Sequence, residues 1–230
     1  MGRFPHALAA MLFAAASCFG QIAAPAGQPG DPAQPPEPID KRIFWIIRNF
    51  KTFPTLPHYE PLTASEKFKI ATADSFDRGT VVLAAAFAGE GQMANSSPSF
   101  GQGMEGYGRY FAASYSDLVI GDYMTEAVFP ILLHQDPRYF RRGVGSGWSR
   151  LGYAMGQIFW THTDAGGMQF NYSEIVGNST AVAISSAYYP DGRDAKSAAS
   201  KLGVQIGVDM FDNILKEFWP DWHRKLPGGR

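Results

Sequence analysis

Residues 118–150 read LVIGDYMTEAVFPILLHQDPRYFRRGVGSGWSR, and the architecture turns on how this stretch folds. It belongs to a helix expected from about Glu105 to Leu133. Tyr107, Phe111, Tyr115, Leu118 and Asp122 form one stripe of that helix, and Ile120, Met124, Ala127, Val128 and Ile131 form another. A helix apolar on two sides is a central one that touches neighbours on both. Asp117, Asp122 and Glu126 keep it from crossing a bilayer unless all three face a bundle interior. Pro130 cannot donate to the Glu126 carbonyl, so a kink is expected there. The chain then leaves the helix through His134-Gln135-Asp136-Pro137 and passes among Arg138, Arg141, Arg142 and Arg150.

Helical signals flank this centre on both sides. Thr63-Ala64-Ser65-Glu66 is a capping box that opens a segment reaching Ala88, with a break expected at Asp77-Arg78-Gly79. Gly89 to Gly108 reads as a loop. Its Gly101-x-Gly103-x-x-Gly106 matches the dinucleotide pattern only formally, because no strand precedes it, and the glycines read better as the start of a closely packed helix. A helix from Ser149 to Trp160 follows, then a turn at Thr161 to Gly167. The next helix is capped by Asn171 or Ser173 and ends at Tyr188-Tyr189-Pro190. Lys196 to Phe218 is amphipathic, with Leu202, Ile206, Met210, Phe211, Ile214 and Phe218 on one side. Alternation of period two is never sustained, so the expected class is all-α: a compact helical bundle with small residues at its helix contacts.

Composition bounds what such a bundle can do. In 230 residues, 45% are hydrophobic and 18% charged, enough apolar content for one core. A net charge of −1 argues against nucleic acid as a partner. One cysteine, Cys18, excludes a disulfide framework and multi-cysteine metal sites.

Residues 1–20 carry Arg3 and a short apolar run from Ala7 to Cys18, the pattern of a secretory signal peptide. Ala15-Ala16-Ser17-Cys18 is a weak lipobox that would leave Cys18 lipidated; cleavage near Gly20 or Ala26 would remove it. Residues 21–39 form a Pro/Gly-rich linker that does not pack. A single helical domain is expected over 40–222, with a frayed tail at 223–230. At its start Lys41 to Phe53 interleaves cations with aromatics. Trp45, Lys41, Arg42 and Arg48 are candidates for membrane contact, and the alternative is an arm that covers the core. The expected location is therefore outside the cytoplasm, in the periplasm or on an envelope membrane.

Two constellations could carry chemistry. His134-x-Asp136 and His162-x-Asp164 each offer an imidazole and a carboxylate, and if they meet they could bind a metal ion or act as acid and base. The alternative is that Asp136 and Asp164 cap turns. Arg138, Arg141, Arg142 and Arg150, with glycines at 143–147, suit an anion such as a lipid headgroup; the alternative is internal pairing, with Asp117, Asp122, Glu126 or Asp209 as candidate partners. No Gly-x-Ser-x-Gly elbow or Pro-Ser-Gly-His core is present.

His134-Gln135-Asp136-Pro137-Arg138-Tyr139-Phe140, Ser149-Arg150, Asn171-Tyr172-Ser173, Gly177-Asn178 and Tyr188-Tyr189-Pro190 together resemble an uncharacterised family of bacterial exported or envelope proteins, sometimes joined to carboxypeptidase-regulatory-like domains. Lys41-Arg42-Ile43-Phe44 and Glu66-Lys67-Phe68-Lys69 also fit, so the resemblance spans residues 41–220. It implies export and a single domain, and it brings no activity. The expectation is a non-catalytic envelope protein that contacts lipid or a partner at a membrane, with no cofactor. The alternative is a hydrolase, metal-assisted or phosphoryl-directed, built on His134, Asp136 and Arg138.

Overall fold

A computed structural model describes the backbone of Arg42–Ile43, Ile47–Arg48 and Thr52–Pro54, and residues 59–225 with the side chain of His223 excepted. Cys18, Lys41, Trp45, the signal segment, the linker and residues past 225 lie outside the described residues, as do the side chains of Arg42 and Arg48. The described part belongs to one compact unit, Pro38–Arg230.

Local chemistry fixes the first two helices. α1 (Ala64–Ser75) opens on the expected capping box: Thr63 accepts from the Glu66 amide, and Glu66 reaches back to the Thr63 amide. The break falls where Asp77 stands, because its carboxylate caps α2 (Arg78–Ala94) by accepting from the Gly79 amide. α2 runs six residues further than the sequence suggests. The signal that ends it is Asn95 in the left-handed conformation, not the first glycine.

α3 (Gly103–Asp122) then begins at the glycine triplet, as its reading as a tightly packed helix start implies. A Cβ on Gly106 would stand 2.4 Å from the Gly101 carbonyl oxygen, so the chain can turn back this closely only at glycine.

The expected kink takes a specific form. Tyr123–Val128 is a π-helical turn, followed by the short α4 (Phe129–Leu132) with Pro130 at its start. The Phe129 amide donates to Met124, five residues back, so the helix is widened one turn ahead of the proline that breaks its ladder. The turn points Glu126 and Ala127 inward, and both are buried. Gly177 packs against it: a Cβ there would meet Thr125 Cγ2 at 2.9 Å and backbone at 3.1 Å.

β4 (Tyr139–Arg141) follows α4 and runs parallel to β3 (Thr52–Pro54), with Phe53 opposite Phe140. The arm before it folds as a two-stranded antiparallel pair, β1 (Arg42–Ile43) and β2 (Ile47–Arg48).

α5 (Gly147–Gly156) is capped by Ser146, three residues before the expected Ser149. It stops early, because Trp160–His162 is not helical but forms β5, paired antiparallel with β6 (Met168–Phe170). Trp160, Thr161 and His162 are rich in β-forming side chains, and the expected turn tightens into a hairpin through Gly166.

α6 (Tyr172–Tyr188) takes Asn171 as its cap. α7 (Ala195–Lys225) continues straight through Pro220, past the expected end at Phe218 and into the expected frayed tail.

Helices α2 and α3, α3 and α6, α6 and α7, and α5 and α7 lie against one another, and the π turn sits between α1 and α6. Ala71, Ala84, Ala88, Ala113, Ala127, Ala154 and Ala181 are all buried, which lets the backbones approach closely. The fold is thus mostly helical with small residues at its contacts, and the three short strand pairs are the addition that the sequence reading lacked.

Large apolar side chains are distributed in an unusual way. Ile158, Met210, Leu215 and Trp219 are inside, but so are Lys67, Glu126, Gln135, Asp136, Arg138, Arg150, Lys216 and Glu217. Phe76, Val82, Met93, Leu132, Val144, Trp148, Trp160 and Phe211 are exposed. Among the described residues, no helix is long and apolar enough to cross a membrane.

Candidate functional site

The two His-x-Asp sequences meet. Gln135 and Thr163 form an antiparallel bridge, with the Asp136 amide donating to the His162 carbonyl and the Asp164 amide donating to the His134 carbonyl, each at 2.9 Å. Each histidine therefore stands opposite the other motif's aspartate across the bridge. Gln135 is buried; its Oε1 accepts from the Ser173 amide and hydroxyl, which ties the bridge to the start of α6.

Both carboxylates are already engaged. Asp136 is 1% exposed and accepts from Tyr59 Oη at 2.6 Å, Arg138 Nη2 at 2.6 Å, Arg138 Nε at 3.0 Å and the Arg138 amide at 2.9 Å. That uses about all the acceptor sites a carboxylate has. Arg138 Nη2 also donates to the Glu60 carbonyl. Asp164 takes both its contacts from Lys67 Nζ, at 2.8 Å, and Lys67 donates its third to the Pro130 carbonyl. The proline that cannot continue the ladder thereby sits beside a buried ammonium that reads its carbonyl.

The histidines differ. His134 is exposed, in the left-handed region at φ 54°, with its Nδ1 4.0 Å from Asp164. His162 lies among the rings of Tyr59 and Phe140, at centroid distances of 5.9 and 4.5 Å. Burial holds its pKa below the usual histidine value, with the Arg138 charge adding to the effect. Burial and the adjacent Asp136 push the Tyr59 hydroxyl well above the usual phenol range, so it stays a donor. Among the described residues no group of three or more His, Cys, Asp or Glu is arranged to hold a metal ion. The carboxylates that would be ligands are occupied by Arg138 and Lys67.

The arginines likewise converge on an anion, and it belongs to the chain itself. Glu217, on α7, is 0% exposed and carries a carboxylate surrounded by donors. Oε1 accepts from Arg150 Nε at 2.7 Å and the Gly143 amide at 3.0 Å; Oε2 accepts from Tyr139 Oη at 2.8 Å and the Arg142 amide at 3.0 Å. One turn on, Asp221 pairs with Arg141 and Arg150. Pro220 cannot bond back into the helix, and the neighbouring Glu217 carbonyl accepts from both Arg141 Nε and Arg150 Nη2. Burial works against the Arg150 charge, but Glu217 and Asp221 hold its pKa above the usual value. Arg142 differs from the other three: its guanidinium lies 5.8 Å from the Tyr153 ring centroid and faces solvent.

Arg138, Arg141, Arg150 and the Gly143 amide thus take the internal-pairing alternative, with Asp136, Glu217 and Asp221 as partners in place of Asp117, Asp122, Glu126 or Asp209. Glu217 itself was legible. It falls seven residues after Met210 and eleven after Ile206, on the same stripe of α7, and a carboxylate on an apolar stripe calls for a buried cation. Phe211 is the stripe residue that turns outward.

Between these two networks lies a polar cavity of about 70 Å³, framed by Glu126 of the π turn, Glu174 of α6, and Asp209, Asp212 and Lys216 of α7. Lys216 is buried and pairs with Asp212. Asn178 donates to Glu174 and Asp209, tying α6 to α7. The cavity has room for a few waters. It is far below the roughly 300–1,000 Å³ typical of small-molecule sites.

Comparisons with protein-family models, with curated proteins and with solved structures find no match for this chain.

Proposed function

We propose that the protein is a non-catalytic component of the cell envelope, held at a membrane surface, where its helical domain contacts lipid. One observation carries the reading: the fold turns its ions inward and many large apolar side chains outward. In water, exposed apolar clusters mark an interaction surface. At a membrane interface, tryptophans and other amphipathic rings find their favoured depth, and Trp148 and Trp222 are both exposed. The signal-peptide pattern and the Pro-rich linker at the N-terminus supply a route out of the cytoplasm and a tether. The resemblance to exported envelope proteins points the same way.

The hydrolase alternative draws on the same residues with less support. Asp136 and Asp164 are held by Arg138 and Lys67, which makes the paired motifs a clamp that joins α1, the post-helix strand and the β5–β6 hairpin. The adjoining cavity is too small for a substrate of ordinary size.

Fractionation of the host envelope tests the proposal. The protein is expected to sediment with membranes, to resist release by high salt, and to be released by detergent; an intact mass that includes acyl chains would place part of that affinity on Cys18. Recovery of the bulk of the protein in the soluble periplasmic fraction, without acylation, would overturn the reading.

A further inference from the structure

We infer that one end of the bundle, formed by the 142–149 segment and the last turns of α7, is the face that docks on an anionic lipid bilayer. The inference rests on the membrane-surface reading above and names the surface and the lipid chemistry it requires.

The segment Arg142-Gly143-Val144-Gly145-Ser146, with Gly147-Trp148 of the first turn of α5, is anchored at its base and open at its tip. Its base is fixed by the Arg142 and Gly143 amides, both donated to the buried Glu217 carboxylate. Its tip carries Val144, 71% exposed, and Trp148, 84% exposed. A tryptophan presented to water on an anchored segment has no packing role to explain it. Two residues on, Arg150 lies over the Phe218 ring at 4.6 Å, and Phe218 stacks on the exposed Trp222 at 6.0 Å. Trp148 and Trp222 therefore belong to the same end of the molecule.

Charge selects the occupant. This end carries Arg141, Arg142, Arg150, Arg224 and Lys225 against Glu217 and Asp221. The two acids pair with Arg141, Arg150 and Arg224 and the nearby Lys216–Asp212 pair cancels, so among the described residues these five cations against two acids leave the face net positive. The Arg142 guanidinium pairs with no carboxylate among the described residues; it lies on the Tyr153 ring, the hydroxyl of which donates to the Phe140 carbonyl. A fixed cation beside an exposed tryptophan and valine matches a surface with phosphate at headgroup depth and hydrocarbon just below it. A second exposed apolar group, Trp160 and Met168 on the β5–β6 hairpin with Tyr172 at the start of α6, has Asp164 in the hairpin turn, and the cation paired with it, Lys67, is buried.

The test is partition of the full-length protein onto vesicles of phosphatidylcholine alone and of phosphatidylcholine with phosphatidylglycerol. Binding is expected to rise with phosphatidylglycerol, and salt is expected to remove that increment while leaving the part due to the apolar side chains. Trp148→Ala should weaken it roughly tenfold. Arg142→Ala should weaken it about fivefold, and only on the anionic vesicles. Trp160→Ala should leave it unchanged. Circular dichroism should be the same for all three, because Trp148, Trp160 and the Arg142 guanidinium are solvent-facing. Binding by the wild type with no loss in Trp148→Ala and Arg142→Ala would overturn this docking face and leave the membrane reading standing. Binding to neither vesicle would overturn both. Loss of self-association in Trp148→Ala, with no effect on vesicle binding, would reassign the face to a contact between copies.

Discussion

Glu217→Ala is expected to lower the free energy of unfolding by about 3–5 kcal/mol, a large part of the roughly 5–15 kcal/mol that holds a domain folded. The carboxylate is fully buried and accepts from Arg150, Tyr139 and the Arg142 and Gly143 amides. Its removal leaves two backbone amides, the Tyr139 phenol and Arg150 Nε without their acceptors, while the two Nη groups of Arg150 keep Asp221 and the backbone carbonyl of residue 217. Burial, the largest of the causes that hold the Tyr139 hydroxyl far above the phenol range, persists without Glu217, so the phenol does not relieve the loss by ionising. Glu217→Gln should recover little, because its amide NH₂ would face a donor. Arg142→Ala should cost less than about 1 kcal/mol, because its side chain offers only an exposed cation–π contact. Thermal or urea unfolding of the three variants checks the ranking. A Glu217→Ala variant within 1 kcal/mol of wild type would mean that α5 and α7 are held together by something other than this ion network.

Asp136→Ala is expected to cost a similar amount, about 3–5 kcal/mol, for the same physical reason in a different place. It would take the carboxylate from the buried Arg138 guanidinium, which keeps the Glu60 carbonyl, and the acceptor from Tyr59. The consequence should be local as well as global. Tyr59 and Arg138 pin the segment before α1 to the strand after α4, so amide exchange should accelerate there and in the β5–β6 hairpin. Asp164→Ala should cost less, because Asp164 is about a quarter exposed and Lys67 keeps the Pro130 carbonyl. Unfolding and hydrogen exchange compare the two. A stable Asp136→Ala protein with unchanged exchange would argue that the His-x-Asp pairing is not a clamp.

Much of the fold was legible because its signals are local. The Thr63–Glu66 box and the Asp77 break form as expected, the helix expected from about Glu105 begins two residues earlier at Gly103, and of the two candidate caps Asn171 is the one used; each signal lies within a turn of what it fixes. Pro130 announced a disruption, but its form, a π turn one turn earlier, depends on the packing of α1 and α6 against it.

The long-range pairings were not legible. Phe53 opposite Phe140 joins residues 87 apart in the chain, and Asp136 meets His162 through a bridge centred on Gln135 and Thr163. Nothing within either segment requires the other, so Trp160 and Thr161 were read as the end of a helix and the start of a turn. The arginine cluster suits an external anion or internal pairing, and Arg138, Arg141 and Arg150 pair internally. That the partner of Arg150 is Glu217, 67 residues away, is decided by the packing of α5 on α7. Helical spacing could have flagged Glu217 as buried, but not named its partner.

The central claim, that the apolar side chains turned outward face lipid, is tested most directly by tryptophan emission on vesicles containing bromine-substituted phospholipid. Trp148, Trp160 and Trp222 are exposed, while Trp219 is 1% exposed and serves as an internal reference. The account predicts that lipid brominated near the headgroup quenches part of the emission, that Trp148→Phe removes much of the quenched part, and that the Trp219 contribution persists. Emission that is the same with brominated and ordinary lipid would contradict it.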